Sequence, residues 1–172
     1  MDIFAHGLWA AVVYQKVPQR TRLWAIFFGV APDLASFGIF FAQRIVQGVF
    51  RLGQPEAWSI PVYVYHLYNY THSLVVWAAA VLVVYLIGKR RIPWVMGAWG
   101  LHIAIDIFTH GTSFFPTPFL WPLSNFRINS FSWGEPWFMA LNYGALLVAY
   151  LAWYVSDRRR SILKKATKPV DV

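Results

Sequence analysis

Four long apolar segments constrain this chain more than any other feature of its sequence. They cover residues 23–42, 72–88, 93–109 and 136–155. At a rise of about 1.5 Å per residue, helices of these lengths extend roughly 26–30 Å, close to the hydrocarbon thickness of a bilayer. Residues 3–17 form a shorter apolar stretch, which could insert obliquely or complete a fifth span. The sequence therefore predicts an all-α, polytopic transmembrane helix bundle with four clear spans and a shorter N-terminal helix.

The composition of the chain favours the same interpretation. Hydrophobic residues make up 58% of the sequence and charged residues 13%, whereas soluble domains have about 45–50% and about 25%. The length of 172 residues suits one domain. We divide the chain into an integral membrane domain, residues 1–156, and a basic cytoplasmic tail, residues 157–172. The absence of cysteine leaves only nitrogen and oxygen ligands for any metal ion.

The basic residues predict the topology and exclude nucleic acid as a partner. The net charge is +8, but the basic residues form short clusters between apolar segments, which is typical of cytoplasmic loops. With the C-terminus in the cytoplasm, all of the 15 Lys and Arg residues except Arg44, Arg51 and Arg127 fall inside. Membrane lipids are therefore the expected partners. The tail contributes Arg158, Arg159, Arg160, Lys164, Lys165 and Lys168.

Six ionisable side chains lie in or at the ends of the apolar segments. Each costs roughly 2.5–3.5 kcal/mol to insert, so such groups are usually functional. Three of them have i, i+4, i+8 spacing, which places them on one side of a helix. Under the predicted topology all six lie in the outer half of the bilayer or at its midplane. They are His6, Asp33, His72, His102, Asp106 and His110.

This set of side chains predicts a metal site inside the bundle. Imidazole and carboxylate ligands suit zinc, which we prefer, or manganese or iron. Six candidates exceed the needs of one tetrahedral ion, so one or two ions are expected, with the other side chains as hydrogen-bonding partners or a general base. Asp33 is our candidate for the base. Some of these residues also have a simpler structural interpretation. These are His6 as an interfacial residue, Asp33 as part of a kink after Pro32, His72 as a capping-region residue, and His110 as a loop histidine. We interpret His66, which lies among tyrosines, as structural.

Five motifs follow one another along the chain: His6, Pro32-Asp33, Thr71-His72-Ser73, His102-x-x-x-Asp106-x-x-Thr109 and Leu120-Trp121-Pro122. Their order resembles that of the YdjM-like family, membrane proteins of bacteria and archaea regarded as metal-dependent hydrolases, some under LexA control. The resemblance implies a prokaryotic plasma (inner) membrane location and metal-dependent hydrolysis. Two features depart from the family pattern. Ala35 occupies a position that is often acidic, and residues 67–70 replace a frequent His-Arg-Gly stretch.

The leading functional prediction is a membrane-embedded, metal-dependent hydrolase. A metal-activated water would attack an ester, amide or phosphoester. Because residues 111–135 are rich in aromatic residues and proline, we expect them to lie at the headgroup level over the site, where a lipid or lipid-linked substrate has access. The sequence assigns neither substrate-binding residues nor the oligomeric state. The alternatives are a proton- or ion-coupled transporter or channel, and a non-catalytic scaffold stapled by its metal. The apolar inner halves of the spans argue against a proton path.

Overall fold

The computed structural model describes residues 1–166 of the chain, with side chains through residue 163. Within this range the structure is entirely helical and contains no strand, as predicted. Short 3₁₀ turns occupy Ala57–Ser59 and Trp94–Met96. The α-helices are α1 (Ile3–Val13), α2 (Gln19–Val46), α3 (Val62–Thr71), α4 (Leu74–Ile87), α5 (Gly97–Thr109) and α6 (Pro136–Ala166).

The helix lengths correct the prediction of four clear spans. Within the described residues, only α2 and α6 are long and apolar enough to cross a bilayer alone. Helices α3 and α4 are bent by 57° at a short break, and they supply a third span only when taken together. Helix α5 has 13 residues, or about 20 Å, which is shorter than a bilayer core of about 30 Å. Helix α1, with 11 residues, is shorter still.

The break between α3 and α4 has a local cause in Ser73. Its hydroxyl accepts hydrogen bonds from the backbone N–H groups of Val75 and Val76 and so caps the start of α4. The same hydroxyl donates to the carbonyl of Trp121. His72 is the C-cap of α3, with helical geometry already lost at φ −110° and ψ 23°. The capping places His72 at a bend inside the bundle and not at the end of a continuous span.

Helix α2 is the centre of the bundle and packs against α1, α3 and α5. Small residues allow α1 and α2 to approach closely. A Cβ atom added at Gly29 would lie 2.9 Å from the Cβ of Ala10 and 3.2 Å from the carbonyl oxygen of His6. Toward the end of α2, Phe37 and Phe40 pack with other buried side chains from α3, the connection before it and the loop after α5. Those partners are Ile60, Val64, Tyr68 and Phe115.

The long aromatic connection after α5 folds into the bundle. Thr117 is 2% exposed, and Phe115 stacks on Tyr65 with ring centroids 4.4 Å apart. The carbonyl of Phe119 accepts a hydrogen bond from the N–H of Leu74 at 2.9 Å. These contacts hold the loop against the break between α3 and α4, beside the histidines described below.

Helix α6 continues without interruption past residue 156, where we placed the start of the basic tail. Arg158, Arg159 and Arg160 lie on its exposed surface. Residues 167–172, including Lys168, lie outside the described residues, as do the side chains of Lys164 and Lys165.

Candidate metal centre

Four side chains from three parts of the fold come together inside the bundle. Asp33 comes from α2, His72 from the break between α3 and α4, and His102 and Asp106 from α5. One nitrogen or oxygen atom from each lies within 4.8 Å of the others. Three of the residues are buried, while the side chain of Asp33 is 13% exposed. Together they have the composition and spacing of a site for one metal ion.

The two histidine rings direct their Nε2 atoms at each other and at the carboxylates. The Nε2 atoms of His72 and His102 lie 3.0 Å apart. The Nε2 of His102 is 3.2 Å from Oδ2 of Asp106, and the Nε2 of His72 is 3.4 Å from Oδ1 of Asp33. The i, i+4 spacing on α5 places His102 and Asp106 on one face, as predicted.

Hydrogen bonds on the far side of each ring fix the tautomers. The Nδ1–H of His102 donates to the carbonyl of Gly29 at 2.7 Å. The hydroxyl of Thr71 donates to the carbonyl of Leu67, so it accepts from Nδ1–H of His72 at 2.9 Å. In the neutral rings both Nε2 atoms therefore carry lone pairs. Metal-binding histidines are commonly oriented by such partners.

Asp106 provides an independent test of whether a cation fits. Its Oδ2 atom is buried and has no hydrogen-bond partner within the described part of the chain. A buried carboxylate oxygen left without a donor is energetically costly. The lone-pair nitrogens of His102 and His72 lie 3.2 and 3.5 Å from it. A divalent cation among these atoms satisfies all of them, and the nitrogen and oxygen donors suit zinc, manganese or iron.

The remaining two predicted residues, His6 and His110, contact the other carboxylate oxygen of Asp106. The Nε2 of His6 lies 2.9 Å from Oδ1, and the Nε2 of His110 lies 3.5 Å from it. The ring of His6 also stacks on that of His102 at 3.6 Å. His110 donates from Nδ1 to the carbonyl of Phe115. All six predicted residues thus lie together, four as the donor set and two beside Asp106.

Several contributors to the site were not predicted. The backbone nitrogen of Met1 contacts Oδ1 of Asp106 and lies 3.0 Å from Nε2 of His110. Gly29 contributes only a carbonyl group, which no sequence pattern reveals. Thr71 directly precedes His72, and Thr109 lies three positions after Asp106. These positions beside predicted site residues were the sequence signal that could have identified the two threonines as hydrogen-bonding partners. His66 is exposed and lies away from the site.

A cavity of about 650 Å³ adjoins the cluster on the side of Asp33. Of the four donor residues, Asp33 lines this cavity, and His110 lines it as well. Its walls are largely apolar and include one face of α2 and the beginning of α6. The α2 residues in the wall are Val30, Leu34, Phe37, Phe41 and Ile45.

The fold and the site define a class: helical membrane proteins with a buried histidine and aspartate cluster able to hold a metal ion. The chain belongs to the YdjM inner membrane protein family, which matches residues 1–166. This confirms the resemblance seen in the sequence motifs. Neither a curated protein nor a solved structure matches the chain.

Proposed function

We propose that this protein is a metal-dependent hydrolase of the prokaryotic inner membrane that cleaves an ester, amide or phosphoester. The observation that most supports this proposal is that the four side chains of the cluster are not equally exposed. His72, His102 and Asp106 are at most 1% exposed, whereas Asp33 faces the cavity. Structural metal sites are usually closed by four protein ligands, while catalytic sites keep a position accessible to water and substrate. The cavity provides that access.

His72, His102 and Asp106 would hold the ion, with zinc as the preferred metal, and Asp33 would leave the fourth position, on the side of the cavity, to water. A bound divalent ion would lower the pKa of its water and polarise the oxygen of the scissile bond. The two histidines need no rearrangement, because Gly29 and Thr71 already hold their rings. Preorganised donors of this kind avoid a reorganisation cost during the reaction.

Asp33 is our candidate for the general base. Its carboxylate lies at the boundary between the cluster and the cavity. A carboxylate in this position can accept a proton from water that is also in contact with a substrate in the cavity. The proton can then pass from Asp33 to the leaving group as the bond breaks.

His6 would hold the carboxylate of Asp106 in place, since its Nε2 lies 2.9 Å from Oδ1 and Oδ2 stays directed at His72 and His102. The Nε2 of His110 also approaches Oδ1, but because Nδ1–H donates to Phe115 it carries a lone pair and needs a cation or a proton between the two atoms. Outer partners of this kind tune and orient ligands at metal sites. The same two nitrogens with Oδ1 are also the donors available to a second ion, so metal stoichiometry decides between these two roles.

The two ends of α6 support the orientation that we propose for the protein. Met139 and Tyr143, near its start, line the cavity, while Arg158 lies near its far end. Basic residues at the end of a span favour the cytoplasm. The cavity and the cluster would then face the outer half of the bilayer, with the C-terminus inside.

The packing below the cluster argues against the transporter alternative. The buried residues Ala10, Ala25 and Ala98 form an apolar group with Tyr14 and Phe28 where α1, α2 and α5 meet. A proton relay needs polar groups that continue toward the other membrane face. The cavity likewise argues against a purely structural metal, because a scaffold needs no access to its ion.

The decisive experiment is elemental analysis of the detergent-purified protein. The wild type should contain one or two equivalents of a transition metal, and the double variant His102→Ala with Asp106→Ala should contain almost none. His66→Ala is the matched control, because His66 is exposed and should leave the metal content unchanged. A wild type that stays empty after zinc or manganese is supplied would contradict the proposal.

A further inference from the structure

We propose that the substrate is an acyl lipid with an anionic, phosphate-bearing headgroup, which enters the cavity sideways from the bilayer. This inference rests on the proposed hydrolase function, since it names the substrate of the same site. Three features of the cavity support it: the apolar wall, the lateral opening and Arg51.

The apolar wall has the shape that an extended hydrocarbon chain requires. The wall residues of α2 recur at helical spacing from Val30 to Ile45 and so form one continuous face of the helix. Fifteen residues of helix extend this face over about 22 Å. Its only charged member is Asp33, which belongs to the metal cluster. The wall thus leads from the cluster along a strip suited to an acyl chain.

The cavity opens to the outside of the bundle at the level of the spanning helices. Leu34 and Ile45 line it and are still 50% and 61% exposed. Helices α2 and α6 both contribute to its wall, whereas at the other end of α2 Arg22 lies 4.9 Å from the ring of Trp153 on α6. A side-chain contact thus joins the two spanning helices near one end, and the cavity has wall residues from both near the other. In a bilayer, such an opening faces lipid chains.

Arg51 supplies the charge that selects an anionic headgroup. It lines the cavity from the connection between α2 and α3, and no carboxylate of the described residues forms an ion pair with it. Arginine is well suited to phosphate because its guanidinium can donate two parallel hydrogen bonds. The other acid of the wall, Asp2, is already engaged as the cap of α1 and by the hydroxyl of Tyr143. Arg51 is therefore the unpaired charge available to a ligand.

The test is binding of a fluorescent single-chain phospholipid to the full-length protein in detergent, with a chelator present so that turnover does not contribute. An anionic probe with a phosphoglycerol headgroup is compared with an uncharged monoacylglycerol probe of the same chain, which lacks the phosphate. Leu34→Trp should weaken binding of both probes by about tenfold or more, because it fills the apolar wall. Leu23→Trp, at an exposed α2 position outside the cavity, is the matched control and should not weaken it.

Arg51→Gln should weaken the anionic probe alone by about tenfold, the effect typical of a hydrogen bond to a charged group. Arg127→Gln, at an exposed arginine that does not line the cavity, is its control.

Two outcomes would overturn the proposal. If the cavity-filling variants Leu34→Trp and Ile45→Trp both bind lipid as the wild type does, the lipid site is wrong. Unchanged selectivity in Arg51→Gln would overturn the headgroup assignment. If the protein binds metal but not lipid, the lipid site is rejected and the proposed hydrolase function still stands. If it binds lipid but not metal, only the hydrolase function is rejected.

Discussion

The Nε2 atoms of His72 and His102 lie 3.0 Å apart, and in each ring Nδ1 already donates its hydrogen to another group. Two neutral rings in this arrangement direct lone pairs at each other. Oδ2 of Asp106, which lacks a hydrogen-bond donor in the described residues, adds a negative charge to the same space. The arrangement requires positive charge at its centre, and it is the strongest structural argument for a metal ion.

Metal binding should weaken as the pH falls. Protons compete with the ion for the imidazoles and carboxylates, so affinity is highest where the histidines are neutral. Lowering the pH from about 7.5 to about 5, across the usual range of histidine titration, should release most of the metal. Metal content after gel filtration at each pH measures this. Return to neutral pH with added zinc should restore the original content, and full retention at the lower pH would contradict the assigned ligands.

The hydroxyl of Thr71 should matter through the orientation of His72. Thr71→Val removes the acceptor for Nδ1–H of His72 while keeping the shape of the side chain. Loss of such a partner typically weakens metal affinity by about 10–100-fold. Zinc titration with a competing chelator gives the affinity. Thr71→Ser keeps the hydroxyl and should bind as the wild type does; equal losses in both variants would assign Thr71 a packing role only.

The site was more predictable than the helices that form it. Asp33, His72, His102 and Asp106 stand out because charge and imidazole are costly within apolar segments. The i, i+4 spacing on α5 correctly placed two of them on one face. Their ring orientations were not predictable, since the partners include a backbone carbonyl, that of Gly29, which any residue could supply.

The errors in the predicted spans have physical causes. Helix α3, Val62–Thr71, lies between two of the predicted apolar segments and was not predicted, because its tyrosines and asparagine give it no long apolar run. The apolar segment at residues 72–88 is helical only from Leu74, because the cap formed by Ser73 breaks it from α3. Hydropathy measures the apolar run but not the hydrogen bonds that interrupt it, such as that between Ser73 and the loop carbonyl of Trp121.

Gly29→Ala should displace α1 from α2 and disturb the site. The added Cβ would lie 2.9 Å from Ala10 Cβ and 3.2 Å from the backbone oxygen of His6. We expect a loss of about 1–3 kcal/mol of stability from such overpacking, together with weaker metal binding, because Gly29 also orients His102. Thermal unfolding in detergent and metal content measure the two effects.

Gly38→Ala is the matched control for that variant on the same helix. Nothing lies within 4 Å of a Cβ atom at Gly38. Alanine is favoured over glycine in a helix interior by about 1 kcal/mol, so this variant should be as stable as the wild type or slightly more so. Similar destabilisation by both substitutions would show that close packing of α1 and α2 is not the cause.

Asp33→Asn should separate metal binding from hydrolysis. His72, His102 and Asp106 remain as ligands, so the variant should keep its metal. An amide cannot accept a proton as a carboxylate does, and loss of a general base costs about 10²–10⁴-fold in rate. Hydrolysis of ester and phosphoester substrates at saturating zinc should fall by that factor. Asp157→Asn, at an exposed acid near the end of α6, is the control and should change neither metal content nor hydrolysis rate.

Full activity in Asp33→Asn would assign the base to another group. His110, which lines the same cavity, would then be the next residue to substitute.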